Sequence, residues 1–408
     1  MKQREDLLEI TEKLKSLVTE EEVINLIKNL VKIPSYPGIK EQETLVAKYI
    51  NELFNKENIT SEVIPVINGR SNVIAKIKGT GKGKTLLLTG HMDTVPPYTM
   101  PGDPFKVSIK NGKLLGRGVV DMKGPLACMI MAMIAIKRSG IKLKGDVIFA
   151  GVIDEEEKSE GTIALLENGI KADGAIVGEP TEMNICIAHR GLEWLNLNFK
   201  GKAVHGGKQD EGINAILKAS NFIQRVEKEL IPKLQERKHP VAGNSTMNYG
   251  LIKGGTQPST VAGDCILKID RRWIPGEKYK KVIEEYENII DDLKNEDDTF
   301  NCSLKVMDES LMKEGYVHEA MEIDKNHPLI EIISTATESI INKKPEKTYF
   351  PAWSDGGLLS TYGNIPTIIF APGDLETAHS DNECIKIKEL YPSTLIYALA
   401  TIKFCSIY

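Results

Sequence analysis

Acids and histidines stand at the ends of short apolar runs in this chain, or in the loops that follow them. The positions whose chemistry stands out are His91 with Asp93, Asp121, Glu155 with Glu156, Glu179, and His379. Imidazole and carboxylate groups are ligands that Zn²⁺ prefers, and carboxylates also suit Mn²⁺. Two divalent ions carry four positive charges, which three carboxylates and one hydroxide would balance. These residue types therefore favour a site for two metal ions.

Each of these positions also has an ordinary explanation when it is taken alone. Asp121 lies close to glycines and could cap a following helix, and the acidic run 154–157 is typical of a solvated helix start. Glu179 before Pro180 fits a simple turn. Apolar strands do not commonly end in charged groups unless a cation lies there, however. The positions taken together therefore favour metal binding.

The elements that must position these residues follow from the apolar pattern. The run 85–90 predicts a buried strand, and alternate residues of a strand share a face, so His91 and Asp93 should point the same way at its carboxyl end. Further apolar runs precede Glu155 and Glu179, and a predicted helix begins at Pro125. Alternating strands and helices favour a mostly parallel sheet with helices on both faces, an α/β fold that binds ligands at its carboxyl edge.

The pattern changes after residue 189. Residues 195–199 alternate between apolar and polar, which predicts a half-solvated antiparallel strand. A predicted helix at 214–233, two strands, a helix and another strand follow, an order that suits a small α/β sandwich. We therefore expect the first part of a catalytic domain at 1–189, an inserted lid and dimerisation domain at 190–307, and the second part of the catalytic domain at 308–408.

Composition excludes several classes of function. The 408 residues carry a net charge of −5, which argues against nucleic acid as a partner. No apolar stretch approaches the roughly 18 residues that cross a bilayer, and the charged N-terminus lacks the apolar core of a signal peptide. The six cysteines are widely spaced and form no C-x-x-C, which predicts free, packed thiols. We expect a cytoplasmic protein with no membrane partner.

Seven ordered blocks of the sequence resemble the acetylornithine deacetylase / succinyl-diaminopimelate desuccinylase family, which includes aminoacylases and glutamate carboxypeptidases. The resemblance extends from about Ile33 to the end of the chain. The blocks that carry it are 90–96, 116–124, 154–162, 178–181, 189–191, His205 and 372–379. The resemblance implies a zinc-exopeptidase-like catalytic domain and a homodimer formed through the lid domain.

The resemblance also implies the ligands of two divalent ions, with zinc expected first and cobalt or manganese as alternatives. His91 and Glu179 would bind one ion, and Glu156 and His379 the other. Asp121 would bridge the two ions, and the peptide bond that follows it would be cis.

The catalytic roles are implied in the same way. Asp93 would orient His91 through its free ring nitrogen. Glu155 would act as the general base, taking a proton from water and passing it to the leaving amine. His205 would reach the active site of the partner subunit and steady the oxyanion.

Substrate contacts complete the implied site. Arg272 would hold the substrate carboxylate by bidentate hydrogen bonds, and Gly373 would contact the substrate. Strand neighbours point to opposite faces, so only one of Arg271 and Arg272 can face the substrate, and the sequence leaves open which one does.

The function implied by the resemblance is the removal of an acyl group from an N-acyl amino acid. A dipeptidase or carboxypeptidase with the same dinuclear centre stays open, because both kinds of enzyme cleave an amide next to a carboxylate-bearing residue. A metal-binding protein without catalysis is a third hypothesis. Glu155 argues against it, since this residue is not expected to bind metal.

Overall fold

The computed structural model describes residues 2–406, with side chains from Glu9 onward, so most side chains of the charged N-terminus lie outside the described residues. The helices are α1 (Lys2–Lys15), α2 (Glu20–Val31), α3 (Thr44–Lys56), α4 (Lys123–Ser139), α5 (Glu160–Glu167), α6 (Ala215–Glu229), α7 (Ile231–Glu236), α8 (Tyr279–Glu296), α9 (Pro328–Ile341), α10 (Gly356–Thr361) and α11 (Ile387–Phe404). The strands are β1 (Thr60–Ile67), β2 (Arg70–Ile77), β3 (Leu86–His91), β4 (Ser108–Lys110), β5 (Lys113–Leu115), β6 (Val147–Val152), β7 (Gly174–Val177), β8 (Ile185–His189), β9 (Gly191–Lys200), β10 (Lys238–His239), β11 (Gly243–Asn244), β12 (Thr246–Gly254), β13 (Asp264–Trp273), β14 (Asn301–Val306), β15 (Met321–Glu322), β16 (Lys347–Phe350), β17 (Thr367–Ile369) and β18 (Cys384–Lys386).

The chain divides into two compact units. The main unit comprises the chain up to Ala188, Met321–Phe350 and the chain from Ser354 onward. The inserted unit comprises His189–Ala320 and Pro351–Trp353. The inserted unit thus extends beyond the expected end at residue 307. Ser310 donates to Glu193 and Leu192 pairs with His318, which holds this additional segment on the inserted unit.

A nine-stranded sheet forms the centre of the main unit. Its strand order is β1-β2-β6-β3-β7-β17-β8-β15, and β16 also pairs with β8. The four strands β6, β3, β7 and β17 run parallel, and antiparallel strands β2 and β8 flank them. Strands β3, β6 and β7 are buried along their whole length, which explains why their sequences are continuously apolar. The predicted mostly parallel α/β sheet is confirmed.

Helix α4 leads directly from the segment that contains Asp121. It is buried along nearly its whole length and ends at Gly140, which adopts the left-handed conformation that favours glycine at a helix end. The helix begins at Lys123, not at Pro125 as the sequence predicted. Pro125 is tolerated there because the first N–H groups of a helix have no intrahelical partner.

The inserted unit is a two-layer α/β structure. Its antiparallel sheet has the order β12-β13-β9-β14, and α6 packs against β9, β13 and α8. Strand β9 alternates between buried and more exposed positions, as the sequence predicted. The helix predicted at 214–233 is two helices, because α6 ends at Glu229 and α7 begins at Ile231 with Pro232 in its first turn.

Within residues 2–406, no helix combines the length and the apolar character that a membrane crossing requires. All six cysteines are free and five of them are buried, which confirms the prediction of packed thiols.

Candidate active site

The carboxyl ends of three neighbouring parallel strands bring the predicted ligands to one edge of the sheet. His91 ends β3 and lies opposite Val152, the last residue of β6, and Thr89 lies opposite Val177, the last residue of β7. The loops after β6 and β7 carry Glu155, Glu156 and Glu179. Because parallel neighbours end at the same edge, residues far apart in the sequence meet there.

His91 connects several of these acids. Its Nε2 lies 2.9 Å from Oδ1 of Asp121 and 3.6 Å from Oε1 of Glu179. Its Nδ1 donates to the carbonyl oxygen of Asp93 at 3.0 Å and lies 3.5 Å from the Asp93 carboxylate. A carbonyl only accepts hydrogen bonds, so Nδ1 carries a proton and Nε2 is directed at the acids. The Asp93 carboxylate also accepts from the N–H of Glu156 at 3.0 Å.

His379 approaches the same cluster from the other side of Asp121. Its Nε2 lies 3.1 Å from Oδ2 of Asp121 and 3.1 Å from the Glu156 carboxylate. The two oxygens of Asp121 therefore face two different imidazoles, an arrangement that suits a bridging carboxylate. The peptide bond from Asp121 to Met122 is cis, as the resemblance implied.

Among the side chains that the structure describes, two groups have potential ligand atoms within 4.8 Å of one another. One group is His91, Glu155 and Glu179, and the other is His91, Asp121 and Glu156. Glu155 therefore lies among the potential ligands, so proximity alone does not separate a base from a ligand.

The electrostatics of the cluster are those of crowded acids. Burial, together with the charge of Glu179, raises the pKa of Glu155 well above its ordinary value. Burial likewise raises the pKa of Glu179, although the charge of His91 opposes the shift. Hydrogen bonds with Asp121 and Glu156 raise the pKa of His379 to about 10. Glu155, Glu179 and His379 therefore hold protons more tightly than they would in water, and a bound cation would favour their deprotonated forms.

A divalent cation fits this donor set. Oε1 of Glu179 and Oδ1 of Asp93 are buried and have no hydrogen-bond partner among the described residues. A buried carboxylate oxygen without a partner is costly, and a metal ion at Glu179 would remove that cost. Two imidazoles and several carboxylates within reach are ligands typical of zinc sites.

The chain's family is established by comparison with known proteins. The family model described as "Peptidase family M20/M25/M40" matches residues 87–403, a range that includes the whole cluster from His91 to His379. The chain belongs to this family. M20 proteins with deacylase and peptidase names are its relatives, so this chain is a metal-dependent amide hydrolase.

Two relatives of this M20 chain match nearly its whole length. It is 29% identical to N-formyl-4-amino-5-aminomethyl-2-methylpyrimidine deformylase of Bacillus subtilis strain 168, over 95% of each chain. It is 28% identical to a probable succinyl-diaminopimelate desuccinylase of Staphylococcus aureus, over 95% of this chain and 98% of the relative. The crystal structure of aminopeptidase PepT from Bacillus cereus has the same fold, with a TM-score of 0.78, 23% identity, and coverage of 95% of this chain and 99% of that one.

His205 of the M20 chain lies in the inserted unit. It precedes the 3₁₀ helix Gly206–Glu211 and is exposed. The N–H of Gly207 donates to its Nδ1 at 3.1 Å, which leaves Nε2 as the outer nitrogen. The role of His205 across a dimer stays a prediction.

The two arginines at the end of β13 lie on opposite faces of the inserted sheet. Arg271 is fully buried, and its guanidinium lies 3.3 Å from Glu277 and 3.4 Å from Glu285. Arg272 is partly exposed and donates twice to Asp270, at 2.8 and 3.0 Å. Arg271 thus belongs to a buried cluster of ion pairs, and Arg272 is the arginine that faces away from the helices.

Gly373 is enclosed by the main unit. Its φ is +97°, and a Cβ there would lie 2.5 Å from the side chain of Val120, so the position requires glycine. Its N–H donates to Glu389 at 3.1 Å, and its carbonyl accepts from Glu182 at 2.7 Å. These contacts give Gly373 a packing role, and its contact with substrate stays a prediction.

Arg70, which no sequence motif indicated, supports the turn that precedes Glu155 and Glu156. Nη1 of Arg70 lies 2.5 Å from Oδ1 of Asp154, and its Nε donates to Glu43 at 2.9 Å. Asp154 has a φ of +71°, an uncommon conformation that this ion pair helps to hold directly before Glu155. A single arginine at the start of a strand carries no sequence pattern that distinguishes it from other surface arginines.

Asp355 is a second residue that the sequence analysis missed. It is buried in the main unit, where Thr162 donates to its Oδ2 at 2.6 Å, and its Oδ1 has no hydrogen-bond partner among the described residues. Its charge adds to the rise in the pKa of Glu155 and of Glu179. Asp355 therefore belongs to the electrostatic surroundings of the cluster.

Proposed function

We propose that this M20 protein removes an acyl group from an N-acyl amino acid and that two divalent ions support the reaction. The arrangement of Asp121 between His91 and His379 carries the dinuclear part of the proposal. The names of the two relatives support the reaction type, because a deformylase and a desuccinylase both release an acyl group from an amine.

In this proposal His91 and Glu179 would hold one ion, Glu156 and His379 would hold the other, and Asp121 would serve both. Zinc is the metal expected first, with cobalt or manganese as alternatives. Bound ions of this kind polarise the scissile carbonyl and lower the pKa of water.

Glu155 moves the proton. It accepts one proton from the attacking water and delivers it to the nitrogen of the leaving amine, so water and amide become a carboxylic acid and an amine. Burial and the charge of Glu179 raise the pKa of Glu155, and a raised pKa is what a carboxylate needs to hold a proton between these two steps. Asp93 contributes by holding the imidazole of His91 in place.

The inserted unit supplies the remaining parts of the proposal. Arg272 binds the substrate carboxylate in exchange for part of its contact with Asp270, and His205 acts across a homodimer. Strand β12 is the edge of the inserted sheet and exposes Leu251 and Ile252, which supports pairing between two copies. A cytoplasmic location is part of the same proposal.

A substrate panel tests the proposed reaction. Protein stripped with a chelator and reloaded with zinc, cobalt or manganese is assayed for amine release from acetylornithine, succinyl-diaminopimelate, the formylated aminomethylpyrimidine and several dipeptides. We expect metal-dependent turnover of an N-acyl substrate at least tenfold above that of any dipeptide. Preferential dipeptide cleavage would identify a peptidase. Equal turnover by metal-stripped and metal-loaded protein would reject the dinuclear mechanism.

A further inference from the structure

The loops that carry Asp121 and His379 are tied together by one buried carboxylate, that of Glu383. Glu383 lies four residues after His379 and is 1% exposed. Its Oε2 accepts from the N–H of Gly118 at 3.0 Å, and its Oε1 accepts from the N–H groups of Val120 at 3.0 Å and Asp121 at 3.4 Å. All of these donors are backbone groups of the segment that ends at Asp121.

The backbone of Glu383 takes part in the same connection. Its carbonyl oxygen accepts from the N–H of Gly116 at 3.4 Å. Glu383 therefore holds the backbone of 116–121 at several points. Because the donors are backbone N–H groups, they cannot adopt other rotamers as side-chain donors can. Since these contacts join segments about 260 positions apart in sequence, they set where Asp121 lies relative to the His379 loop.

The charge of Glu383 is balanced within the same structure. Nη1 of Arg117 lies 2.6 Å from Oε2 of Glu383, and both side chains are 1% exposed. Glu383 therefore does not need a metal ion to balance its charge. Both of its oxygens are already occupied by N–H donors, so it is not available as a ligand.

We propose that Glu383 is a positioning residue that sets the placement of Asp121 beside His379 and thereby the affinity for the ion that these two residues share. The inference rests on the dinuclear site of the proposed function. A residue that holds a metal ligand in place typically changes metal affinity by about 10- to 100-fold when it is replaced.

The test measures metal affinity directly. Wild-type protein and the variants Glu383→Gln and Glu383→Asp are stripped of metal and titrated with zinc against a chromophoric chelator. We expect the Gln variant to bind at least one of two ions about 10- to 100-fold more weakly than wild type does. We expect kcat to fall and KM to stay within about twofold, because the substrate contacts are unchanged.

The aspartate variant separates position from charge. Asp keeps the negative charge beside Arg117 but is one methylene shorter, so it cannot reach both Gly118 and Val120 as Glu383 does. A positioning role predicts that Asp fails to restore metal affinity. Full restoration by Asp would show that only the charge matters, and this result would overturn the proposal.

Two further variants control for stability. The double variant Arg117→Met/Glu383→Gln removes the buried pair together, so it avoids an unbalanced arginine if Glu383→Gln alone fails to fold. Glu193→Gln is the matched control. It replaces a buried glutamate of the inserted unit, which accepts a hydrogen bond from Ser310, and it should leave zinc affinity unchanged. Wild-type zinc affinity in a folded Glu383→Gln or double variant would overturn the inference. A wild-type protein that binds fewer than two ions would instead defeat the proposed function.

Discussion

Nε2 of His379 lies 3.1 Å from the carboxylate of Glu156, although 223 positions separate the two residues in the chain. Strands β6 and β17 explain the meeting, because both belong to the parallel centre of the sheet and the loops that follow them carry these residues. The site is thus formed by loops that meet at one edge of the sheet, and no single segment of the sequence contains it.

The first prediction concerns Glu155. Replacing it by Gln should lower kcat by about 10²- to 10⁴-fold, because the proton of the attacking water loses its acceptor. Metal content, measured by elemental analysis, should stay at the wild-type value. Glu157→Gln is the matched control, since this acid lies two positions away and is exposed. Near-normal turnover of Glu155→Gln would contradict the assigned base.

The second prediction concerns the pH dependence of metal binding. Hydrogen bonds with Asp121 and Glu156 raise the pKa of His379 to about 10, so without metal its imidazole holds a proton throughout the neutral range. An ion must displace that proton, and apparent zinc affinity should therefore rise with pH, about tenfold per unit for one proton released. Calorimetric titrations between pH 6 and 8 measure this slope.

NMR of the metal-free protein tests whether the contact with Asp121 raises the pKa of His379. Asp121→Asn should lower the pKa of His379 toward the ordinary range, because the largest stabilising contact is lost. His318 is an internal reference, since burial lowers its pKa to about 4. A His379 resonance that titrates in the ordinary range in the wild-type protein would refute the assignment.

A third prediction concerns the buried carboxyl group of Glu193 in the inserted unit. Burial raises the pKa of Glu193 to about 7 from an ordinary value of 4.5, so the folded state holds a proton that the unfolded state releases. The contribution of Glu193 to the free energy of unfolding should be fully present below about pH 4.5 and fall by about 3 kcal/mol as pH rises through about 7. Glu193→Gln should remove this slope.

Tryptophan fluorescence suits this measurement, because the three tryptophans at 194, 273 and 353 all lie in the inserted unit. Urea titrations at pH 5 and pH 7.5 give the difference in unfolding free energy. Glu296→Gln, on exposed α8 surface, should keep the wild-type slope. A flat wild-type profile would count against a protonated Glu193.

A fourth prediction concerns Arg70. Its replacement by Met leaves the buried carboxylate of Glu43 and that of Asp154 without their cation, which should lower the unfolding free energy by about 3–5 kcal/mol. Lys200→Met breaks an exposed pair with Asp264 and should cost at most about 1 kcal/mol. Equal urea midpoints for the two variants would contradict this difference.

The fifth prediction tests the dimer. If His205 acts across subunits, mixing inactive His205→Ala with inactive Glu155→Ala protein should restore up to about a quarter of wild-type activity, because half of randomly formed dimers contain one intact site. Subunit exchange is verified independently by mass spectrometry of labelled chains. Absence of recovery after proven exchange would remove His205 from the proposed mechanism.

Sequence reasoning located the elements that have a periodic pattern and the ligands that follow them. The buried strand before His91 was predictable because a parallel strand is apolar along its whole length. Arg70 and Glu383 were not predictable, because each acts through contacts with residues 27 or more positions away and no local sequence pattern distinguishes it. The burial of Arg271 likewise depends on Glu277 of the following loop and Glu285 of α8, which strand alternation alone does not reveal.

The position of β17 beside β7 has a consequence for how this protein matures. Most of the acids precede the inserted unit in the chain, whereas His379 follows it. During synthesis the carboxylates therefore emerge well before the last imidazole that pairs with them. In the proposed site, capture of the ion held by His379 would wait for this late strand to dock, so metal uptake would serve as a kinetic marker for the final stage of folding.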